Sequence, residues 1–387
     1  MHLFYQDLNQ AFRGLVSGIA DESIPTVEED SRAGRVMRIP EPVLITYQHP
    51  RRRVLLNRER DANPFFHLFE SLWMLAGRDD VESLSRYNSK ITEIASDDGK
   101  TFNGAYGYRW RHKEWWDKKQ THPGDPWIEE TDQLNVLIDH LKKTPSSRRA
   151  VLQMWNAEDD LLKVDVTKDV CCNTAAYFSI RRCSQCEARS KTMFFVNPGP
   201  CDCGQKLATG CTSYLDMTVT NRSNDIVWGT FGSDAVNLSF LQEYVANCLD
   251  VEVGVYHQFS NNLHAYLDNW RPEVWLTDYY ADAFTEAPLT YGQEIFESIH
   301  LVRNKEIFDT EVQQFMSVSR PWETQWMEPF LGQVAAPMAR AFQLHKQREY
   351  SDALDSLRDM PGVASDWFVE AKRWLKKRKD LHEARSN

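Results

Sequence analysis

The chain has 387 residues, 45 of them basic and 56 acidic, for a formal net charge of −11. So acidic a chain repels a nucleic-acid backbone, and an anionic ligand must be held by a local cluster of arginines. The length suits about two domains with ample core, no apolar run reaches the roughly 18 residues of a membrane span, and Met1–Asp7 lack the basic and apolar regions of a secretory signal.

Asn63-Pro64, followed by Phe65, Phe66, Phe69, Leu72, Trp73 and Leu75 and ended by Gly77, predicts a capped helix with apolar residues at threes and fours. Glu70 falls on the same face. A carboxylate there is costly unless paired or put to work, so it is either half of a buried salt bridge or a general acid/base. Ser147-Arg148-Arg149 forms a polar turn leading into a strand that ends before Asn156. Residues 169–180, with Cys171 and Cys172 near their start, predict a strand paired as a hairpin with the alternating strand 214–220.

Between these strands lies an insert, residues 181–212, carrying Cys183-x2-Cys186 and Cys201-x-Cys203. Eight cysteines in a chain without a signal point to a reducing, cytoplasmic compartment, where metal binding or catalysis is expected rather than disulfides. The four could hold a structural zinc with no open position, with Cys211 as a substitute ligand; the other reading is free thiols.

After strand 214–220 come Arg222, Ser223, Asp225, Gly229 and Asp234, then an apolar helix through Leu238, Leu241, Val245 and Leu249. A strand-end Arg/Ser pair suits a phosphate, since a guanidinium fork matches its oxygens; a salt bridge plus a turn is the plainer reading. Beyond about residue 300 the texture changes, and 328–358 and 366–384 read as amphipathic helices. Their basic run Lys376–Lys379 is expected to be a solvated helix end complementing its dipole, the other reading being a nucleic-acid patch.

Taken in order, Ser147-Arg148-Arg149, Cys172 in its strand, Arg222-Ser-Asn-Asp225 with Gly229, and Asn262-Leu-His264-Ala-Tyr266 resemble the thymidylate synthase family. The likeness covers roughly residues 30–270 and is closer to the phage-type deoxycytidylate hydroxymethylase branch. It implies an α+β thymidylate synthase fold whose mixed sheet forms a homodimer interface. Residues 1–300 would be the catalytic domain, with the insert inside it, and 301–387 a helical C-terminal extension.

The resemblance also implies roles. Arg32 (or Arg35), Arg222 and Ser223 would hold the 5′-phosphate of a pyrimidine nucleoside monophosphate, and Arg148 and Arg149 would reach it from the partner subunit. His264 and Tyr266 would bind the sugar 3′-hydroxyl, Tyr106 would assist proton removal from C5, and Asp225 joins the catalytic set. The carbon donor would be 5,10-methylenetetrahydrofolate. Pyrimidine C5 is a poor nucleophile, and a thiolate adding to C6 turns it into an enamine carbon. Cys172 is that nucleophile, since its distance to Tyr177 and Ile180 matches the family strand, while Cys171 points to the opposite face. Glu70 would organise the water and relay protons.

Four departures bear on the product and the base. Ile91 and Ile94 stand where the synthases have tryptophans beside the folate, Asn173 replaces their histidine, and their C-terminal tail is not recognisable. Asp234, after a turn one residue longer, stands where they carry an asparagine. An aspartate suits cytosine, accepting from the 4-amino group and, when protonated, donating to N3; a plain helix cap is the other reading. The expectation is a deoxycytidylate 5-hydroxymethyltransferase. Its rivals are methylation of deoxyuridylate and hydroxymethylation of cytidylate or deoxyuridylate. A zinc-ribbon nucleic-acid module is the non-enzymatic rival, and it leaves Glu70, Cys172 and the arginines unexplained. Expected partners are the nucleotide, folate and a second copy, with no membrane or nucleic acid, in the cytoplasm (the host's if the chain is phage-encoded).

Overall fold

The computed structural model describes residues 1–386 apart from 32, 96–98, 113–131, 163–168, 183–212, 278–290, 292–296 and 359–364. Cys183, Cys186, Cys201, Cys203 and Arg32 therefore lie outside the described residues.

Two mixed sheets organise the chain. The larger has the order β1 (His2–Tyr5), β4 (Val43–Tyr47), β9 (Glu252–Ser260), β7 (Ser213–Asn221), β6 (Asn173–Arg182), β5 (Val151–Gln153). The smaller runs β2 (Val27–Ser31), β3 (Gly34–Arg38), β10 (Leu263–Tyr266), β8 (Asn224–Asp225). The expected hairpin is present: β6 and β7 pair antiparallel, Tyr177 opposite Thr218 and Ile180 opposite Leu215. The larger sheet's edges are short, four residues in β1 and three in β5. Along β7, Leu215, Met217 and Val219 are buried while Asp216, Thr218 and Thr220 are half-exposed. That period of two gives the sheet one core face and one less covered face, on which Phe4, Val151 and Tyr177 are exposed.

Long helices supply the other layer: α1 (Leu8–Ala20), α2 (Pro64–Leu75), α3 (Gln133–Lys143), α4 (Asp234–Cys248), α5 (Lys305–Ser317), α6 (Ala336–Lys346) and α7 (Ser365–Ser386). Every residue of α2 is buried, and α4 is buried from Asp234 to Ala246, the condition of helices apolar around most of their circumference. Asn63 caps α2, its Oδ1 accepting the N–H groups of Phe65 and Phe66 at 3.1 Å each. The residues after 300 join this core: Phe65 lies 5.1 Å from Phe342 and 5.5 Å from Trp374, and Phe240 lies 5.9 Å from Trp367 between ring centroids.

The basic run departs from expectation. It sits within α7, not at its end, and two of its members face inward. Arg378, one turn beyond Trp374, lies 3.6 Å from that indole's centroid and pairs with Asp61, while Lys377 donates to the Arg58 carbonyl at 3.2 Å. The four-residue spacing put an aromatic stem under the guanidinium and drew it off the solvent. Among the described residues, no helix is long and apolar enough to cross a membrane.

Candidate active site

The site forms where the start of β6, the end of β7, α2 and α4 converge. Tyr106 opens the short helix Tyr106–Arg111, whose next residue must be glycine. A Cβ on Gly107 would stand 2.0 Å from the Met74 carbonyl oxygen, so only a bare backbone approaches α2 this closely. That approach brings the Tyr106 hydroxyl to the segment carrying Cys172, whose backbone N–H it accepts at 3.1 Å. Burial, then the neighbouring Cys172, holds this phenol well above its ordinary pKa.

β6 begins at Asn173, later than the sequence suggests, so both cysteines sit on the segment entering the strand. Cys171 is buried, its N–H reaching Asp160 at 3.3 Å and its thiol the Gly104 carbonyl at 3.5 Å. Burial pushes that thiol up, out of reach as a thiolate near neutrality. Cys172 is half-buried, with Arg222 Nη2 3.8 Å from its sulfur. Arg222 is itself fixed by the Cys171 carbonyl at 2.8 Å and the Val170 carbonyl at 3.2 Å, its plane 5.5 Å from the Trp155 ring centroid. Ser223 follows, half-buried.

Three carboxyls come from α2, from β8 and from the start of α4. Glu70 Oε2 accepts from Asn237 Nδ2 at 2.8 Å, and Asn237 Oδ1 accepts from Ser71 at 2.7 Å. Burial raises Glu70 to about 7, against hydrogen bonds from Asn237 and Ser233. The sequence reading missed Asn237; its place three residues after Asp234, on the same helix face, is the signal that could have found it. Asp234 opens α4 but its carboxyl does not cap it: Oδ1 accepts from Asn173 Nδ2 at 3.1 Å. Burial raises Asp234 to about 6, countered by Asn173 and Asn224. Gly229 makes room, since a Cβ there would lie 2.1 Å from Asn224 Oδ1 and 3.5 Å from Asp234 Oδ2. Asp225 is raised to about 6 by burial, countered by the N–H groups of Trp228, Tyr266 and Val227.

Between Asp225 and Asp234 the chain winds as a π-type turn, Ile226–Ser233. It presents Trp228, 55 % exposed, with the Arg60 guanidinium 5.4 Å from its centroid. His264 stands beside Asp225 in the β10–β8 register, its Nδ1 2.9 Å from Asn262 Oδ1 and its pKa lowered by burial; Tyr266 packs edge-on against it at 5.4 Å. Ile91 packs on the core from the turn Ser89–Ile94.

Behind the Asn173–Asp234 pair runs a row of buried polar side chains. Asn173, Asn221 and Ser260 are lateral neighbours, with Gln258 further along β9. Asn221, Ser260 Oγ and Gln258 Nε2 have no protein partner among the described residues. Polar residues at alternate inward positions of an otherwise apolar strand were the legible sign of this floor.

Arg148 and Arg149 do not join the cluster. They are exposed on the turn ahead of edge strand β5, the Arg149 N–H bonded to Ser147 Oγ at 3.1 Å. Arg35, the alternative to Arg32, is exposed and paired with Glu28. No group of three or more potential metal ligands occurs among the described residues.

Chemically, the arrangement joins a half-buried thiol and its cation, a phenol under the same residue's amide, and carboxyls that titrate near neutrality. The family pattern described as "Thymidylate synthase" matches residues 58–317. A protein of Pseudomonas phage M6 named deoxyuridylate hydroxymethyltransferase is 38% identical over 368 residues, 94% of this chain and 91% of that protein. A Bacillus phage SP01 protein of the same name is 35% identical over 249 residues, 64% of this chain and 55% of its own length. A thymidylate synthase of Wigglesworthia glossinidia brevipalpis is 33% identical over 98 residues, covering 25% of this chain and 33% of that protein.

Proposed function

The chain belongs to the thymidylate synthase family and is a one-carbon transferase, and from that premise we propose that it hydroxymethylates C5 of deoxyuridylate. The family's cosubstrate, 5,10-methylenetetrahydrofolate, supplies the carbon. The phage relatives are named for deoxyuridylate, which moves the proposal away from the cytosine nucleotide that Asp234 alone suggests.

One observation carries the base assignment: Asp234 comes coupled to Asn173. An ionised carboxylate accepts the uracil N3–H while the amide N–H beside it donates to O4, so two side chains do together what one asparagine amide can do. Cys172 adds to C6, with Arg222 placing positive charge at the sulfur and sharing the 5′-phosphate with Ser223. Tyr106 lies under the nucleophile to take part in C5 proton removal. Glu70, poised near neutrality, orders the water that adds to the C5 methylene and exchanges its proton. The folate would lie between Glu70, the 89–94 turn and Trp228, where isoleucine in place of tryptophan loosens the packing that excludes water. His264 and Tyr266 would hold the sugar.

The less covered face of the larger sheet would bury Phe4, Val151 and Tyr177 against a second copy, carrying Arg148 and Arg149 to the partner's phosphate. Deoxycytidylate remains a second reading on one ground: Asp234 is raised to about 6, and its neutral form donates to cytosine N3. Incubation with methylenetetrahydrofolate and each pyrimidine monophosphate, followed by product mass, tests both. The expected product is hydroxymethyl-deoxyuridylate, one oxygen heavier than thymidylate. Thymidylate, or turnover of deoxycytidylate alone, would overturn the assignment.

A further inference from the structure

We infer that α7, which lies beyond residues 58–317 of the family match, positions the wall of the cosubstrate site through Arg60. The inference rests on the placement of folate against Trp228 proposed above.

Three α7 side chains grip the segment ahead of α2. Arg373 donates to the Leu56 carbonyl at 2.7 Å, Lys377 to the Arg58 carbonyl at 3.2 Å, and Arg378 Nη2 to Asp61 Oδ2 at 2.9 Å. The Arg378–Asp61 contact is two-pronged, the arrangement in which an ion pair fixes direction as well as distance. Asp61 has φ 54°, a left-handed conformation that a non-glycine residue keeps only when its surroundings hold it. Trp374, under Arg378, packs edge-on against Phe65 of α2, so the grip is anchored in the core.

Arg60 lies inside the gripped segment. Its N–H is held by Asn57 Oδ1 at 2.7 Å, and its guanidinium leaves the segment to donate to the Val227 carbonyl at 2.7 Å and lie over Trp228. Burial works against its charge, and the Asp225 and Asp61 carboxylates support it. One residue thus ties the segment held by α7 to the π-type turn that carries Trp228 and joins Asp225 to Asp234. A π-type turn has looser hydrogen bonding than an α-helix and needs outside support to keep one geometry. α7 supplies that support at one remove, which makes Asp61, Arg378 and Arg60 positioning residues.

The test uses the full chain with Asp61→Asn, which removes the charge and tolerates the left-handed conformation, and with Arg378→Ala. Hydrogen exchange of the unliganded protein is followed in peptides covering 225–233. Both variants should exchange faster there, with the larger sheet unchanged. Loss of a two-pronged, partly buried pair should raise KM for methylenetetrahydrofolate by roughly fivefold, leaving kcat and the nucleotide KM within about twofold. If Arg378→Ala does not fold, Arg378→Gln removes the charge and keeps much of the stem. Unchanged exchange at 225–233 in the single variants would overturn the clamp, and so would faster exchange with an unchanged cosubstrate KM. A wild type that transfers no carbon from methylenetetrahydrofolate would instead refute the proposed function, and the exchange measurement would still decide the clamp.

Discussion

Cys171 and Cys172 are adjacent in sequence and opposite in surroundings, because Asp160 and Gly104 bury the first while Arg222 faces the second. Cys172→Ala should therefore abolish C5 tritium release and Cys171→Ala should keep most of it; the reverse pattern would move the nucleophile. Glu70 gives a pH-dependent test. Its folded pKa of about 7 exceeds the ordinary 4.5, so its stabilising contribution is complete below the unfolded value and is lost as pH rises through about 7. Glu70→Gln, which keeps the acceptor for Asn237, should raise stability near pH 8 by on the order of 2 kcal/mol and change little below about pH 4.5. Urea denaturation at both pH values checks this. Asp234 predicts a change of preference, since its neutral form suits cytosine and its ionised form uracil. Lowering pH from about 8 to about 5.5 multiplies the neutral-to-ionised ratio of Asp234 by about 300 and should raise the deoxycytidylate-to-deoxyuridylate ratio of kcat/KM by up to that factor; a flat ratio would exclude Asp234 from reading the base. Glu70 could be singled out in the sequence as a costly residue on an apolar helix face, and Cys172 and Asp234 through the family likeness. The Asn173–Asp234 pair could not, because it exists only once a strand end packs on a helix start.

At the scale of elements, α2 was readable from Asn63 to Gly77 because its cap, its proline and its apolar spacing agree. Asn63 does more than cap: its Nδ2 also donates to the Tyr87 carbonyl at 3.0 Å, tying the helix to the approach of the 89–94 turn. Asn63→Ala should lower unfolding free energy by about 1–2 kcal/mol, and Asn63→Asp by less, because aspartate retains the cap. Equal losses would mean the tie to Tyr87 dominates. The hairpin of β6 and β7 was equally plain from alternation. The turn between Asp225 and Asp234 was seen only as one residue too long, since periodicity does not distinguish a loop from a π-type turn. The basic run of α7 misled for a related reason: four charges in a row look solvated, and only tertiary packing turns Lys377 and Arg378 inward.

For the whole molecule, the proposed dimer makes a complementation experiment decisive. Inactive Arg149→Ala mixed with inactive Cys172→Ala should recover activity, since one hybrid site then holds both residues intact; demonstrated mixed dimers without activity would keep Arg149 in its own subunit. The exposed Arg148 and Arg149 look purposeless within one chain, which is why sequence alone assigned them only through family likeness. The brevity of β1 and β5 has its own consequence. Edges of four and three residues offer few unpaired backbone groups, so lateral, edge-to-edge growth into a continuous ribbon is poorly supported. Association through the flat of the sheet saturates itself, because a two-fold contact spends the same patch on both copies. Light scattering across a wide concentration range should therefore plateau at two chains rather than climb, the larger sheet's short edges giving a third copy little to pair with.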